Sequence, residues 1–438
     1  NSLPPDPAVV GERWRARWLE RLEHCTPWLE GWLRHQRRDD YWRHGSVCED
    51  FSAIRAPVLA VSGWADGYSN AVFRLLQGLE APCHGLVGPW SHTYPHLGTP
   101  GPAIGFLQEC LRWWDRWLKD ADNGVDREPA LRAWMQDSVP PTSSYPERPG
   151  RWVAEAAWPS PQVRSEPWSL GSDGRLLPPG TAAEEGVAEI TSPLVVGLFA
   201  GKWCSYAAGP DLAHDQRQED GGALVFDGPR LEQPLEILGA PVLELEVAAD
   251  RPQAMIAVRL SDVGTDDAAT RVSYGLLNLS HRESSAEPEP VEPGRFYRVR
   301  VRLNDVAQHF PAGHRLRVAV STNYWPLAWP SPEPVRLRIR TSVSRFHLPV
   351  RPPRAADAEL RPFDPPEGAS PLAVTQLEEA HHDWRVIREL AADRSTLEVV
   401  NDAGRFRLED TGTVVTTRAR EWYRSRANDH DSVEGETR

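Results

Sequence analysis

The chain has 438 residues, 40% of them hydrophobic and 25% charged, with a formal net charge of −13. That is the composition of a soluble globular protein of two or three domains, and its acidity argues against nucleic acid as a partner. No apolar run approaches the ~20 residues of a bilayer-spanning helix, so no membrane partner is expected.

Five scattered cysteines, Cys25, Cys48, Cys83, Cys110 and Cys204, include no CxxC pair. They indicate neither a zinc ribbon nor a disulfide framework and favour a reducing, cytoplasmic setting. The 41 prolines indicate many turns and strand edges. Fourteen of the 19 tryptophans fall within residues 1–168, which suggests two differently built halves.

In chain order, residues 7–45 read as helix, with Trp14, Trp18, Leu22 and Cys25 at three- and four-residue spacing, as are Trp28 and Trp32. "PVLAVS" (57–62) is a short apolar run suited to a strand covered on both faces. Residues 70–79 have helical spacing, and "HGLVG" (84–88) is a second buried strand. Residues 103–119 predict a helix whose apolar stripe is Ile104, Leu107, Leu111, Trp114 and Leu118, stopped at Asn123-Gly124. This strand–helix alternation predicts an α/β sheet. Beyond residue 130 the period changes to two. "RVRVRL" (298–303), "RLRVAV" (315–320) and "VRLRIR" (335–340) place Arg outward and Val, Leu or Ile inward, as in a β-sandwich or jelly roll. Residues 282–294 form a polar, Pro-rich loop. Residues 395–408 predict a hairpin around "NDAG", and "RANDHDSVEGETR" has no core of its own.

The first strand runs into "GWADGY" and presents Asp66; the second runs into "GPWSH" and presents His92. An acid and a histidine just past successive strands match two members of a Ser-Asp-His triad, in which the carboxylate fixes the tautomer of the histidine that takes the serine proton. Trp64 and Trp90, two residues before each, are candidates to wall the site. Against this, an Asp in a Gly-rich turn is commonly a turn residue, and a histidine in "PWSHTYPH" can be an ordinary loop residue. A metal reading would use Asp66, His92 and His96. No GxSxG elbow occurs; Ser62 shares the Asp66 strand and Ser91 adjoins His92.

"DDYWRHGSVCEDFSAIRAPVLAVSGWADGY", "GLVGPWSH", "CLRWWDRWLKD", "VFDGPRLEQPLEILGAPVLELEV" and "HFPAGHRLRVAVSTNYWP" together resemble the CocE/NonD hydrolases, which include X-Pro dipeptidyl-peptidases, cocaine esterase and α-amino-acid ester hydrolases. The resemblance covers most of the chain. It implies an α/β plus all-β protein: a partial helical cap (1–50), the C-terminal part of an α/β-hydrolase core (51–138), a galactose-binding-like jelly roll (139–355) and a β-rich extension (356–438). It also implies that Asp66 is the triad acid and His92 the base. The nucleophilic serine, and the residue that helps form the oxyanion hole, are expected upstream of Asn1, so the chain alone is expected to be inactive and poorly soluble. No cofactor or metal is implied. The substrate is a small-molecule ester or peptide, with less preference for a free amino group because "GYSN" after Asp66 adds no carboxylate. A homodimer is compatible with this reading. The competing reading is a non-catalytic carbohydrate-binding jelly roll, with Trp325 and Trp329 stacking on a sugar.

Overall fold

The computed structural model describes residues 4–206 and 209–438. Its first sheet begins with β1 (Val58–Gly63), which pairs in parallel with β2 (Cys83–Gly88), in register from Val58↔Cys83 to Gly63↔Gly88. The helix Asn70–Gly78 crosses between them and buries Val72 and Phe73 against the sheet. The strand β3 (Leu131–Gln136) adds in parallel beside β2. Their apolar runs are continuous rather than alternating because both faces are covered. Ala60, Val87, Leu131, Ala133 and Met135 meet Val72 and Phe73 in one cluster.

The helix Phe106–Lys119 forms where expected but faces the other way. Glu109 and Trp113 are its buried residues, whereas Leu107, Leu111, Trp114 and Leu118 are exposed. Ile104 is buried but precedes the helix. The inward face is fixed by Trp113 against His84, ring centroids 5.4 Å apart, and by Glu109 accepting from Arg112 and Arg361. The expected stripe is therefore an uncovered outer surface. The N-terminal helices, including Trp14–Glu23 and Trp28–Arg34, likewise bury none of their residues. The Arg38 amide ties this segment to the body by donating to the Ser285 carbonyl at 2.9 Å.

Beyond β3 the same sheet runs on. The 136–308 contact is a single parallel pair, Gln136↔Gln308. Past it the sheet continues through Val306–Phe310, Leu235–Gly239, Leu337–Val350, Val242–Ala249 and Tyr297–Arg302. Val299 and Val301 point inward and Arg298, Arg300 and Arg302 outward, as the alternation predicts. A second sheet, in the order Ala269–Asn278, Met255–Val263, Arg315–Ser321 and Leu224–Asp227, packs on it over a core that includes Leu243, Leu245, Ile256, Val258, Val318 and Ile339. The protein is thus an α/β layer joined to a β-rich part made of two packed sheets.

The C-terminal segment departs from expectation. Arg394–Leu408 is one long strand, and "NDAG" is a bulge in it between Asp402 and Arg405 rather than a hairpin turn. The reversal comes later, before Thr413–Arg426. The last stretch is a strand too, Asp429–Thr437, paired antiparallel with Thr413–Arg426. This five-stranded sheet rests on the body where Leu397 and Val399 meet Leu198, Val195 and Phe199.

Candidate active site

Because β1 and β2 end in register at Gly63 and Gly88, the loops that follow them meet at the same end of the sheet. The Trp64 amide donates to the Gly88 carbonyl at 2.9 Å, and the Ala65 amide to the Trp90 carbonyl at 3.1 Å. The approach is so close that a Cβ at residue 63 would lie 1.9 Å from the Trp90 carbonyl oxygen, so only glycine fits there.

This stitching sets Asp66 beside His92. The Asp66 Oδ2 accepts from His92 Nδ1 at 3.1 Å and from the Ser62 hydroxyl at 3.2 Å. Its Oδ1 accepts from the Tyr68 amide at 2.9 Å and from the Cys204 thiol at 3.6 Å. The acid is the protected partner, its side chain 10% exposed against 44% for His92. A histidine bonded through Nδ1 to a sheltered carboxylate keeps Nε2 for a proton on the solvent side.

A segment from the β-rich part crosses over both loops. The Ser205 amide donates to the Ala65 carbonyl at 3.1 Å, and the Ser205 carbonyl accepts from the His92 amide at 2.7 Å. Tyr206 meets the His92 ring edge-on at 5.2 Å, Trp203 meets Tyr68 edge-on at 5.0 Å, and Tyr68 lies 5.6 Å from His92. Asp211 holds this segment, accepting from the Ser205 hydroxyl at 2.7 Å and the Tyr206 amide at 3.1 Å. Burial raises the Cys204 thiol above its usual value and the Asp66 carboxylate adds to this, so the sulfur is a protonated donor. Burial also pushes the Asp211 carboxyl up.

Of the aromatic pair expected to wall the site, Trp64 lines a cavity of about 120 Å³ beside Asp66, together with Arg148, Arg271, Tyr274 and Asp305. Its indole donates to the Trp134 carbonyl at 2.7 Å. Trp90 is instead a core residue, fully buried among Leu86 and Ile104, with its indole donating to the Pro102 carbonyl at 2.8 Å. His92 instead meets Tyr68 and, from a distant segment, Tyr206, while Trp203 of that segment packs on Tyr68. Nothing in the local pattern of "GKWCSY" announces them, because the segment lies more than a hundred residues beyond His92 and only the fold brings it back.

The metal reading also changes membership. Among the described residues, the set with ligand atoms within 4.8 Å of one another is Asp66, His92 and Cys204. His96 is outside it, packed beside Tyr94 and Phe106, with which it forms a cluster of three rings. Within this set the Asp66 carboxylate accepts from His92 Nδ1 at 3.1 Å on one oxygen and from the Cys204 thiol at 3.6 Å on the other. The sugar-stacking pair is likewise broken: Trp325 is buried against Trp329 and Tyr423, and only Trp329 is exposed.

Comparison with known proteins agrees with this architecture. Residues 123–363 match the family described as X-Pro dipeptidyl-peptidase C-terminal non-catalytic domain, and residues 3–94 match X-Pro dipeptidyl-peptidase (S15 family). A putative serine esterase of Mycobacterium bovis is 26% identical over 377 residues, covering 79% of this chain and 57% of the relative. Cocaine esterase of a Rhodococcus species is 23% identical over 328 residues, covering 70% and 55%. The chain thus spans little more than half the length of these curated relatives. Among solved structures, an α-amino acid ester hydrolase superposes with a TM-score of 0.62 at 22% identity, over 77% of this chain and 62% of that one. A CocE/NonD family hydrolase from Staphylococcus aureus gives 0.59 at 15% identity, over 80% and 64%. With one of the two family matches alone covering more than half of its residues, the chain belongs to the X-Pro dipeptidyl-peptidase family.

Proposed function

We propose that Asp66 and His92 are the acid and base of a serine hydrolase that cleaves an acyl ester or amide, with the serine carried by polypeptide upstream of this chain. The observation that supports it most is the 3.1 Å bond from His92 Nδ1 to a sheltered Asp66 at the ends of adjacent parallel strands. The relatives' greater length supports placing the nucleophile outside residues 1–438.

In the proposed reaction, the serine oxygen bonds to the carbonyl carbon while its proton passes to His92 Nε2. Asp66 stabilises the imidazolium, which then returns the proton to the leaving alcohol or amine as the acyl bond breaks. Water repeats the sequence to release the acid. The two packed sheets, in this reading a galactose-binding-like jelly roll, support and partly close the site.

Hydrolysis of p-nitrophenyl esters tests the reading. A polypeptide joining this chain to the N-terminal portion of its relatives is expected to be active. Asp66→Asn should lower kcat by about 10⁴-fold, because the wrong tautomer is then stabilised, and residues 1–438 alone should show no enzymatic rate. Full activity of the Asp66→Asn variant, or ordinary turnover by the isolated chain, overturns the assignment.

A further inference from the structure

We infer that residues 203–206 are a positioning strap on the Asp66–His92 pair, in which the Cys204 thiol sets the orientation of the Asp66 carboxylate. The inference rests on the hydrolase reading above. It gives a part in that chemistry to a segment inside the region matched by the family described as non-catalytic.

Several separate ties carry it. Ser205 bonds the acid turn with its amide and the histidine loop with its carbonyl, so one residue fixes the spacing between them. The Cys204 thiol occupies Oδ1, together with the Tyr68 amide, and leaves Oδ2 facing the imidazole. A carboxylate turned by rotation about its last bond would present the wrong lone pair to Nδ1, and donors on both oxygens oppose that rotation. Trp203 lies flat against the turn, where a Cβ on Gly67 would come within 2.6 Å of its ring. The strap is itself anchored: Asp211 takes the Ser205 hydroxyl and the Tyr206 amide on its two oxygens, and its carbonyl accepts from the Lys202 amide at 2.7 Å. The sulfur stays a neutral donor because burial and the adjacent Asp66 both oppose its ionisation.

Two readouts test this. The first is the low-field proton resonance of His92 Nδ1–H in residues 1–438, assigned by its loss in Asp66→Asn. The second is ester hydrolysis by the polypeptide that also supplies the nucleophile. In Cys204→Ala the resonance should move upfield or broaden by exchange with water. With the thermal midpoint retained, kcat/KM should fall about tenfold, the size expected for one hydrogen bond to a charged group. Cys204→Ser, which restores an O–H donor, should recover both readouts. Should Cys204→Ala fail to fold, Asp211→Ala, which removes the acceptor of both the Ser205 hydroxyl and the Tyr206 amide, should move the resonance in the same direction. An unchanged resonance and rate in Cys204→Ala, or a Ser variant as impaired as the Ala variant, overturns the inference. If the wild-type polypeptide cleaves no ester, the hydrolase reading fails, while the resonance in residues 1–438 still decides whether the strap orients the pair.

Discussion

Asp66 accepts four hydrogen bonds, each from a different stretch of chain: Ser62 in β1, the Tyr68 amide in the turn, His92 after β2 and Cys204 from the β-rich part. Its geometry therefore depends on how closely those stretches approach, and Gly63 is the tightest point. Gly63→Ala must push back the Trp90 carbonyl. It is expected to cost about 3 kcal/mol in denaturant unfolding, the upper range for overpacking, and to lower activity with it. Asp211 offers a pH test. Burial raises its carboxyl above the ordinary 3.8, so the folded state holds the proton more tightly than the unfolded state. The stability this contributes is full below that ordinary value and is lost as pH rises through the raised one. Thermal midpoints across that window should show the wild type losing ground to Asp211→Asn as pH rises; parallel curves would contradict it. Asp66 and His92 could be read from the sequence because each follows a recognisable strand. Cys204 could not, since no local period encodes a contact made across so many residues. Trp90 lies in the core rather than at the site, since spacing alone does not say which side of a loop a ring takes.

At the scale of elements, periodicity identified structure more reliably than surroundings. The helix Phe106–Lys119 carries the predicted apolar spacing, yet Leu111 and Trp114 point away from the sheet. A 3.6-residue period reveals that a face is apolar, not what covers it. On the isolated chain, Leu111→Glu and Trp114→Glu are expected to change unfolding free energy by no more than about 0.5 kcal/mol, as for surface substitutions. They should also reduce hydrophobic-dye binding and self-association in sedimentation. A large loss of stability would mean that the stripe is packed. "NDAG" shows a second limit. Gly404 has φ +70°, the backbone a tight turn would also need, but β-bulges draw on the same left-handed residues. The alternating Arg strands were legible because one face packs and the other pairs with acids, as Arg300 does with Glu244 and Arg340 with Glu246.

Across the whole molecule, the α/β layer and the β-rich part share one sheet, which passes from β3 to Val306–Phe310. Sequence patterning marked the change of period near residue 130 but gave no sign that the sheet continues through it, since strand neighbours distant in sequence leave no trace in local spacing. Among the described residues, β1 pairs with β2 alone and so forms one edge of this shared sheet. The shared sheet also bears on heredity. A foreign sandwich grafted after β3 would have to bring a strand of matching twist to the Gln136 edge and a loop at the height of Ser205. Recombination at that junction would rarely keep the Ser205 segment seated on the Asp66 and His92 loops, so the two parts are expected to pass between genomes as a single indivisible unit.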